Sequence, residues 1–408
     1  MSEHRSEAKE RSSNVTASLR SGAAPEGGAR CVIDSDTHLY ETRTLWSDYS
    51  DAGQRDRTLR IADDDLGHAW LMFGDRRISL AEVHHPGDVD KMGEYRAKVR
   101  AGEKAEASYD ELLPRAFWDP TARRADLDRF GVDETVVFPN FGLLWERPLA
   151  EDLDATKVNM GAWNRWTVDM AVEGKGRLDP VAHLTLRDLD WLEEQLALLE
   201  AGGIRLAMIA PALVDGKPLS HPEFDRAWDA FVRHGVTPVF HVSAFPHPFH
   251  DAWYEDEDPD DVAPVLSSVF LWTAPALALA DLAIHGVFAR HSDLRLGVME
   301  LSAVWVPMYL LMLDGGFAFH ARFNGEPLTK MELTPSEYVR RQVRVAAFGY
   351  ERPDRLIRQA GDLFMFCSDF PHAEGLAEPL ADYTRMCTLS PEAAPALYSD
   401  NLAWLLRR

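Results

Sequence analysis

The chain has 408 residues, of which 46% are hydrophobic and 27% charged, as in a folded globular protein with a large core. Its formal charge of −23 argues against nucleic acid or an anionic membrane as a partner, because both are polyanions. Three widely spaced cysteines argue against a disulfide framework, and no run is apolar enough to span a membrane. We therefore expect a cytoplasmic protein.

The first thirty residues differ in composition from the rest of the chain. They are rich in Ser, Ala, Gly, Glu and Arg and lack the apolar segment of a signal peptide. We predict a disordered tail over residues 1–30 and one large domain over 31–408.

An apolar start that turns into alternating polar residues marks the first predicted strand, residues 32–38. Side chains alternate between the two faces of a strand, so Asp34, Asp36 and His38 are predicted to share one face. A carboxylate and an imidazole are suitable ligands for first-row metals. An Asp-x-His pair is weak evidence by itself, and its weight depends on ligands at the ends of other strands.

Two long segments are predicted to be loops. Residues 43–120 show no long helical or strand pattern, and we expect an insertion folded over the mouth of the first strand. His84 and His85 within it are expected in a surface turn. Residues 243–265, rich in Pro, His and Asp, form the second loop, where His247 is expected to be solvated.

Outside these loops, predicted strands alternate with helices, which indicates a parallel sheet. Eight strands with apolar runs favour an α/β fold, the (β/α)8 TIM barrel, with long insertions after strands 1 and 5. An open doubly wound sheet is the alternative, but no G-x-G-x-x-G follows an early strand. The last seven strands are predicted near residues 134–139, 178–184, 203–210, 236–242, 294–301, 343–348 and 363–368.

Two later strands also end in candidate ligands. His241 ends the fifth strand and Asp369 follows the eighth. Barrel closure places strand eight beside strand one, so Asp369 is predicted to face Asp36 and His38 in a metal site of nitrogen and oxygen ligands. Alone, His241 is more simply a core histidine and Asp369 a helix N-cap, but their common rim favours the metal site.

Three further residues have open assignments. Glu300 ends the sixth strand and is predicted to point into the mouth, as a general acid–base, an extra ligand or the partner of an arginine. Glu41 is predicted either to cap the following helix or to support His38. His372 is predicted either to bind substrate or to fix its own loop.

Four stretches of this sequence resemble the amidohydrolase-2 branch of the amidohydrolase superfamily, which includes aminocarboxymuconate-semialdehyde decarboxylase. They are Asp-Ser-Asp-Thr-His-Leu-Tyr-Glu at 34–41, His241, Glu-Leu-Ser-Ala-Val-Trp-Val-Pro at 300–307 and Ser-Asp-Phe-Pro-His-Ala-Glu-Gly at 368–375. The resemblance implies a (β/α)8 barrel that binds one divalent ion, Zn or Mn. The implied ligands are Asp36, His38, His241 and Asp369.

The resemblance also implies a reaction and an assembly state. The implied reaction is decarboxylation of a small aromatic or unsaturated acid. From the residues themselves, we predict Asp369 or Glu300 as the proton donor, with His241 beside them in the catalytic site. The alternative is hydrolysis of a small C=O compound by metal-activated water, with Asp369 as base. A homodimer is implied.

The family's decarboxylases often carry His-x-His or Glu-x-His on strand one and His at the strand-six end, whereas this chain has Asp-x-His and Glu300. A non-catalytic barrel is the third possibility, and it predicts no tightly held metal.

Overall fold

The computed structural model describes residues 31–246, 248–254 and 264–408, so the predicted tail and His247 lie outside the described residues. The strands are β1 (Ile33–Leu39), β2 (Leu59–Asp63), β3 (Ala69–Phe73), β4 (Arg76–Leu80), β5 (Glu134–Pro139), β6 (Leu178–His183), β7 (Leu206–Met208), β8 (Thr237–Phe240), β9 (Leu296–Val298), β10 (Val343–Ala347) and β11 (Phe364–Phe366).

The α-helices surround the strands. They are α1 (Leu45–Asp48), α2 (Val89–Arg100), α3 (Tyr109–Leu112), α4 (Pro120–Phe130), α5 (Leu153–Gly174), α6 (Leu189–Ala201), α7 (Asp225–His234), α8 (Val265–Val269), α9 (Thr273–Ile284), α10 (Val287–Arg290), α11 (Val306–Asn324), α12 (Pro335–Gln342), α13 (Pro353–Ala360), α14 (Pro379–Met386) and α15 (Asn401–Leu405). None of those in the described ranges is long and apolar enough to cross a membrane.

Eight parallel strands, β1 and β5–β11, follow one another around a single sheet in chain order. The first and last meet at a bridge between Thr37 and Phe370. Backbone hydrogen bonds beside it join Asp369 N to Asp36 O (2.9 Å) and His38 N to Phe370 O (2.8 Å). The sheet is thereby closed into a (β/α)8 barrel, which confirms the predicted fold. Sites in such barrels lie at the carboxyl ends of the strands.

The barrel interior is filled with apolar side chains below its carboxyl rim. Its buried members include Ile33, Val136, Phe138, Val181, Leu206, Met208, Val239, Met299, Ala346, Met365 and Cys367. A second, larger apolar core lies between the strands and the outer helices. Burial on both faces explains the near-continuous apolar runs in the strand sequences.

Strand β1 is irregular between Asp34 and Thr37, where its pairing with β5 shifts register. Ile33 packs in the barrel interior. The Oδ1 atom of Asp34 accepts hydrogen bonds from the backbone N–H groups of Asp36 (3.2 Å) and Ser368 (3.0 Å). The strict alternation that predicted one common face for Asp34, Asp36 and His38 does not hold across such a bulge.

The insertion over residues 43–120 contains regular structure that the sequence pattern did not reveal. Strands β2–β4 form an antiparallel three-stranded sheet, and α2 is a twelve-residue helix. The prediction that the insertion has no long helix or strand pattern is therefore wrong. Helix α2 buries none of its residues, so it lacks the apolar stripe by which a helix is read from sequence.

The apolar run over residues 305–313 predicts a helix after the sixth barrel strand, and helix α11 is longer than that run. It continues through Gly315 and Gly316 and ends at Gly325, whose φ of +86° suits a left-handed helix cap. The buried residues of α11 all lie in its first half, between Val306 and Leu313.

Asn159 of α5 anchors the insertion to the barrel. Its Oδ1 accepts a hydrogen bond from Leu59 N (2.8 Å), and its Nδ2 donates one to Arg57 O (2.9 Å). The side chain is fully buried, so these backbone groups depend on it rather than on water.

We expect Asn159→Leu to lower the free energy of unfolding by about 2–4 kcal/mol, because a leucine of similar size leaves both buried backbone groups without their partner. Chemical denaturation measures the change. Asn324→Leu is the control, since the Asn324 side chain is exposed and donates to His320 O (3.1 Å) within its own helix. Equal midpoints for the two variants would contradict the anchoring role.

Candidate metal centre

The carboxyl ends of four barrel strands bring five polar side chains together. Asp36 and His38 lie on β1, and His241, Glu300 and Asp369 follow β8, β9 and β11. Four of these side chains are completely buried, and Glu300 keeps 13% of its side chain exposed. Glu300 is therefore the member of the cluster that faces the barrel mouth.

The two imidazoles lie among the carboxylates. Nε2 of His38 is 3.4 Å from Oδ1 of Asp36, 3.2 Å from Oδ1 of Asp369 and 3.6 Å from Oε2 of Glu300. Nε2 of His241 is 3.4 Å from Oδ1 of Asp36 and 3.2 Å from Oε2 of Glu300. Such spacings suit atoms that share one ion at roughly 2.1 Å each.

Each imidazole is held by its other nitrogen. Nδ1 of His38 lies 2.9 Å from the backbone oxygen of Pro139, and Nδ1 of His241 lies 2.8 Å from that of Val242. A carbonyl only accepts, so Nδ1 carries the proton and donates in both cases. Nε2 is left with its lone pair toward the carboxylates, as metal-binding histidines require.

Several buried atoms of the cluster make no hydrogen bond within the described ranges. They are Oδ2 of Asp36, Nε2 of His38, Oε2 of Glu300 and Oδ2 of Asp369. Burying unpaired polar atoms costs free energy, and a divalent cation satisfies all of these atoms at once. Imidazole nitrogen with carboxylate oxygen is a donor set that suits Zn or Mn. The residues present therefore fit the implied metal.

Two four-residue groups within the described chain bring their ligand atoms close enough for one metal ion, and neither is the predicted set of Asp36, His38, His241 and Asp369. Ligand atoms of Asp36, His38, His241 and Glu300 all lie within 4.8 Å of one another. Asp369 belongs to a second, overlapping group whose other members are His38, Glu300 and His372. Asp369 as fourth ligand stays a prediction, and Glu300 joins it as a candidate for that place.

The three carboxyl groups of the cluster have pKa values that are shifted in different directions. Burial raises the pKa of Glu300, and the neighbouring Asp369 adds to the effect, so that this pKa reaches about 7. Burial also opposes ionisation of Asp36, but His241 and His38 beside it hold its pKa below the usual value. At Asp369, His372 and His38 outweigh burial and hold the pKa well below the usual value.

The histidines respond to the same charges. Burial would lower the pKa of His38, yet the nearby carboxylates of Asp36, Asp369 and Glu300 raise it well above its usual value. The pocket therefore stabilises positive charge at the position of Nε2, whether a proton or a metal ion supplies it.

His372 and Asn140 extend the cluster. The His372 ring stacks on His38 with centroids 3.9 Å apart, and its Nδ1 lies 2.9 Å from Oδ1 of Asp369. Its Nε2 lies 2.9 Å from Oδ1 of Asn140. Sequence reasoning missed Asn140, although its place directly after β5 puts it at the same rim.

Other residues near the rim differ from their predicted positions. Glu41 accepts hydrogen bonds from Phe141 N (2.9 Å) and Gly142 N (2.7 Å), so its carboxylate fastens the turn after β5 instead of supporting His38. His84 is not at the surface. Its side chain is 16% exposed, and its ring lies 5.8 Å from that of His372.

His183 at the end of β6 was also missed. It is buried, and its Nε2 lies 3.1 Å from Oε2 of Glu146. From the sequence, Arg123 is predicted either to bind a substrate carboxylate or, more simply, to make a surface ion pair. It is instead completely buried and donates to the backbone oxygen of His38 (2.6 Å). The place of His183 at the end of a predicted strand is the signal that could have found it, as it did His241. Arg123 lies in a polar stretch that offers no such signal.

Two site carboxylates stand on left-handed backbone. Glu300 has φ +49° and Asp369 has φ +57°, a region that non-glycine residues rarely occupy. The loop after Asp369 is packed tightly against this turn. A Cβ at Gly375 would lie 2.3 Å from the backbone oxygen of Asp369, so only glycine fits there.

No family model matches this sequence, and no curated protein matches it either. Solved structures do match. An amidohydrolase from Mycobacterium avium subsp. paratuberculosis superposes with a TM-score of 0.74 at 23% identity, over 93% of this chain and 100% of that chain. At this identity, the match establishes the fold.

Two decarboxylases are also similar. 5-Carboxyvanillate decarboxylase from Novosphingobium aromaticivorans, complexed with manganese and 4-hydroxy-3-methoxy-5-nitrobenzoic acid, has a TM-score of 0.63 at 18% identity, covering 93% of this chain and 96% of that chain. Dihydroxybenzoic acid decarboxylase from Polaromonas sp., with bound manganese and 2-nitroresorcinol, has a TM-score of 0.60 at 13% identity, covering 93% and 97%. The resemblance predicted from the motifs is thus confirmed at the level of the fold.

We expect about one divalent ion per chain in protein purified without chelator, and a large loss in Asp36→Asn, because the neutral amide removes one anionic ligand. Elemental analysis measures the content. Asp369→Asn and Glu300→Gln, measured in parallel, identify the fourth ligand as the position whose neutralisation loses the metal. Wild-type protein that holds no metal after reconstitution with Zn or Mn would contradict the site.

The buried Asp34 carboxyl predicts a pH effect on stability. Burial raises its pKa from 3.8 to about 7, and hydrogen bonds from Ser368 and Asp36 only partly oppose this. Within this pH window the folded chain binds a proton that the unfolded chain has lost, so the free energy of unfolding falls as pH rises, then levels off.

Asp34→Asn keeps an acceptor oxygen and removes the charge. We expect its unfolding free energy to exceed that of wild type at about pH 8 by a few kcal/mol and to approach it near about pH 4. Denaturation curves at the two pH values measure the difference in unfolding free energy between variant and wild type. The contributions of the other titrating groups largely cancel in this difference. A difference that is independent of pH would show that Asp34 ionises normally in the folded chain.

Proposed function

We propose that this protein is a carboxy-lyase that uses one divalent metal ion and acts on a small aromatic or unsaturated carboxylic acid. The observation that carries the proposal is the joint position of two Nδ1-anchored imidazoles and three carboxylates at one barrel rim. A structural role alone does not explain why several of their buried polar atoms make no hydrogen bond within the described ranges.

The structural neighbours support this reading. Two decarboxylases of aromatic acids that share the fold have manganese bound, and their bound compounds are a nitrobenzoic acid and a nitroresorcinol. We therefore propose Mn or Zn as the ion, and an oxygen-substituted aromatic acid as the substrate class. The proposal includes a homodimer and a cytoplasmic location.

Asp36, His38 and His241 would hold the ion, with Asp369 or Glu300 as fourth ligand. When bound, the metal supplies Lewis-acid stabilisation of negative charge on substrate oxygens. The protein itself orients the ligands, because Pro139 O and Val242 O fix the imidazole rings of His38 and His241. Arg123 adds to this by holding the His38 backbone oxygen.

Decarboxylation also requires a proton for the carbon that loses CO2. Glu300 is the cluster member with an exposed fraction, so its carboxyl group is the one that an incoming substrate contacts first. We assign proton delivery to Glu300. Asp369 lies deeper and is paired with His372, which favours a fixed anionic role for Asp369. If Glu300 is the fourth ligand instead, Asp369 takes the proton-transfer role.

Hydrolysis is the second candidate function, because one of the matching structures is described as an amidohydrolase. In that reaction the same cluster holds the ion, and Asp369 accepts the proton of the attacking water. The electrophile would be an ester, lactone, amide or activated C–C bond next to a carbonyl. The two reactions differ in their products, since only the first one releases CO2.

We expect the metal-loaded enzyme to release CO2 from one or more hydroxylated or methoxylated benzoic acids, and Glu300→Gln to lose at least about 100-fold in kcat, as when a general acid is removed. Trapped CO2 and loss of the acid by chromatography measure the reaction. Glu392→Gln, a solvent-exposed glutamate, is the matched control.

Two results would overturn parts of this proposal. Full activity of a metal-loaded Glu300→Gln variant would remove Glu300 from proton transfer. Turnover of esters or lactones without CO2 release from any acid would replace the carboxy-lyase by the hydrolase.

A further inference from the structure

Helix α11 carries an exposed apolar stripe that nothing in the described chain covers. Its members recur at helical spacing on the side opposite the buried residues, beginning just before the helix. They are Val304, Met308, Leu311, Met312, Phe319 and Phe323. Leu311 and Phe323 are the most open, at 78% and 79% exposed. Isolated apolar residues on a surface are ordinary, whereas a contiguous row is a mark of an interaction site.

The second half of α11 strengthens this reading. None of residues 314–324 is buried, yet this half contains three phenylalanines and two alanines. Most helices in proteins are stabilised by packing of an apolar face, and a few exposed turns are marginal in water. The rings of Phe319 and Phe323 stack on each other, with centroids 5.8 Å apart, and within the described ranges neither ring stacks on another aromatic ring.

We propose that the α11 stripe is the surface through which two copies of this chain associate, with the two α11 helices antiparallel across a twofold axis near Gly315. The proposal rests on the homodimer proposed above and names its interface. It does not depend on which reaction the metal centre performs.

The area of the stripe fits a second copy. Fully exposed side chains of this size carry on the order of 150–200 Å² each, so the six present roughly 700 Å² at their observed exposures. A standard protein interface buries about 800 Å² per partner, and the exposed apolar patches of monomers are usually smaller than that.

The middle of the helix fits a twofold axis. Gly315 is the central residue of Val306–Asn324, and the stripe extends to both sides of it. A Cβ at Gly315 or Gly316 would meet nothing within 4 Å, so the helix surface is bare at this point. Small residues at a helix crossing let two backbones approach closely. A symmetric dimer needs such a self-complementary patch.

Charge argues against the other large apolar partner, a lipid surface. Helices that lie on membranes usually carry Lys or Arg along their polar face. Helix α11 has Arg322 and no lysine, and the whole chain has a charge of −23, which anionic lipid repels. The six members of the stripe are uncharged. Arg322, which helical spacing places on the same side, lies seven residues after Gly315, so the antiparallel arrangement sets it opposite the partner's Met308 and not opposite a like charge.

Light scattering after size exclusion tests the proposal. Wild type is expected at twice the chain mass, and the double variant Leu311→Glu/Phe323→Glu at the mass of one chain, because four carboxylates would be buried at the interface. Val172→Glu is the control, since Val172 is 73% exposed on α5, away from the stripe. Circular dichroism and metal content verify that each variant folds, independently of any activity.

Cross-linking tests the position of the axis. A cysteine at Gly315 faces open space, and in the proposed dimer two such cysteines are close enough for a short bis-maleimide. Gly315→Cys should therefore cross-link efficiently, and Val172→Cys should not exceed wild type. The proposal is overturned if wild type is a monomer or if the double variant stays dimeric. It is also overturned if the wild-type chain is monomeric and floats with neutral phosphatidylcholine vesicles, which would assign the stripe to a lipid surface. Failure of Gly315→Cys to cross-link in a dimer refutes the twofold axis at that residue.

Discussion

Negative charge buried at one end of the barrel is the constraint on which the site depends. Three carboxylates converge there within reach of two imidazoles whose Nδ1 atoms are already committed to backbone carbonyls. Without a cation this arrangement leaves oxygens and a ring nitrogen unpaired in a region that excludes water. A divalent ion turns the same residues into a satisfied coordination sphere, so the metal contributes to stability as well as to chemistry.

The closed barrel brings the ligand side chains together at one rim, and small irregularities in the backbone set their positions. Closure through Thr37 and Phe370 places the eighth strand beside the first, which brings Asp369 to His38. The irregularity in β1 separates Ile33, in the interior, from the ligand pair above it. Glycine at position 375 then lets the following loop pack onto the turn that presents Asp369.

Much of this architecture could be predicted from sequence, since apolar strands alternating with helices already imply a barrel, and a barrel implies one rim for Asp36, His38, His241 and Asp369. The exact role of Glu300 could not, because its distance to the imidazoles depends on a left-handed turn after β9. Asn140 and His183 stand at the ends of strands, which marks them as rim residues, but their contacts with His372 and Glu146 depend on tertiary structure. Helix α2 escaped prediction because it buries nothing, and the full length of α11 did so because its second half has no buried face.

The left-handed backbone at Glu300 and Asp369 has a consequence for how this site evolves. Aspartate and asparagine tolerate that conformation better than most residues, whereas β-branched residues hardly adopt it. The backbone conformation at these two positions therefore limits which residue types can replace Glu300 and Asp369, whatever chemistry is selected for. An aspartate is well matched at 369, while a glutamate at 300 is held against its backbone preference, so a descendant of this protein can exchange Glu300 for a shorter acid or amide more easily than for valine or isoleucine.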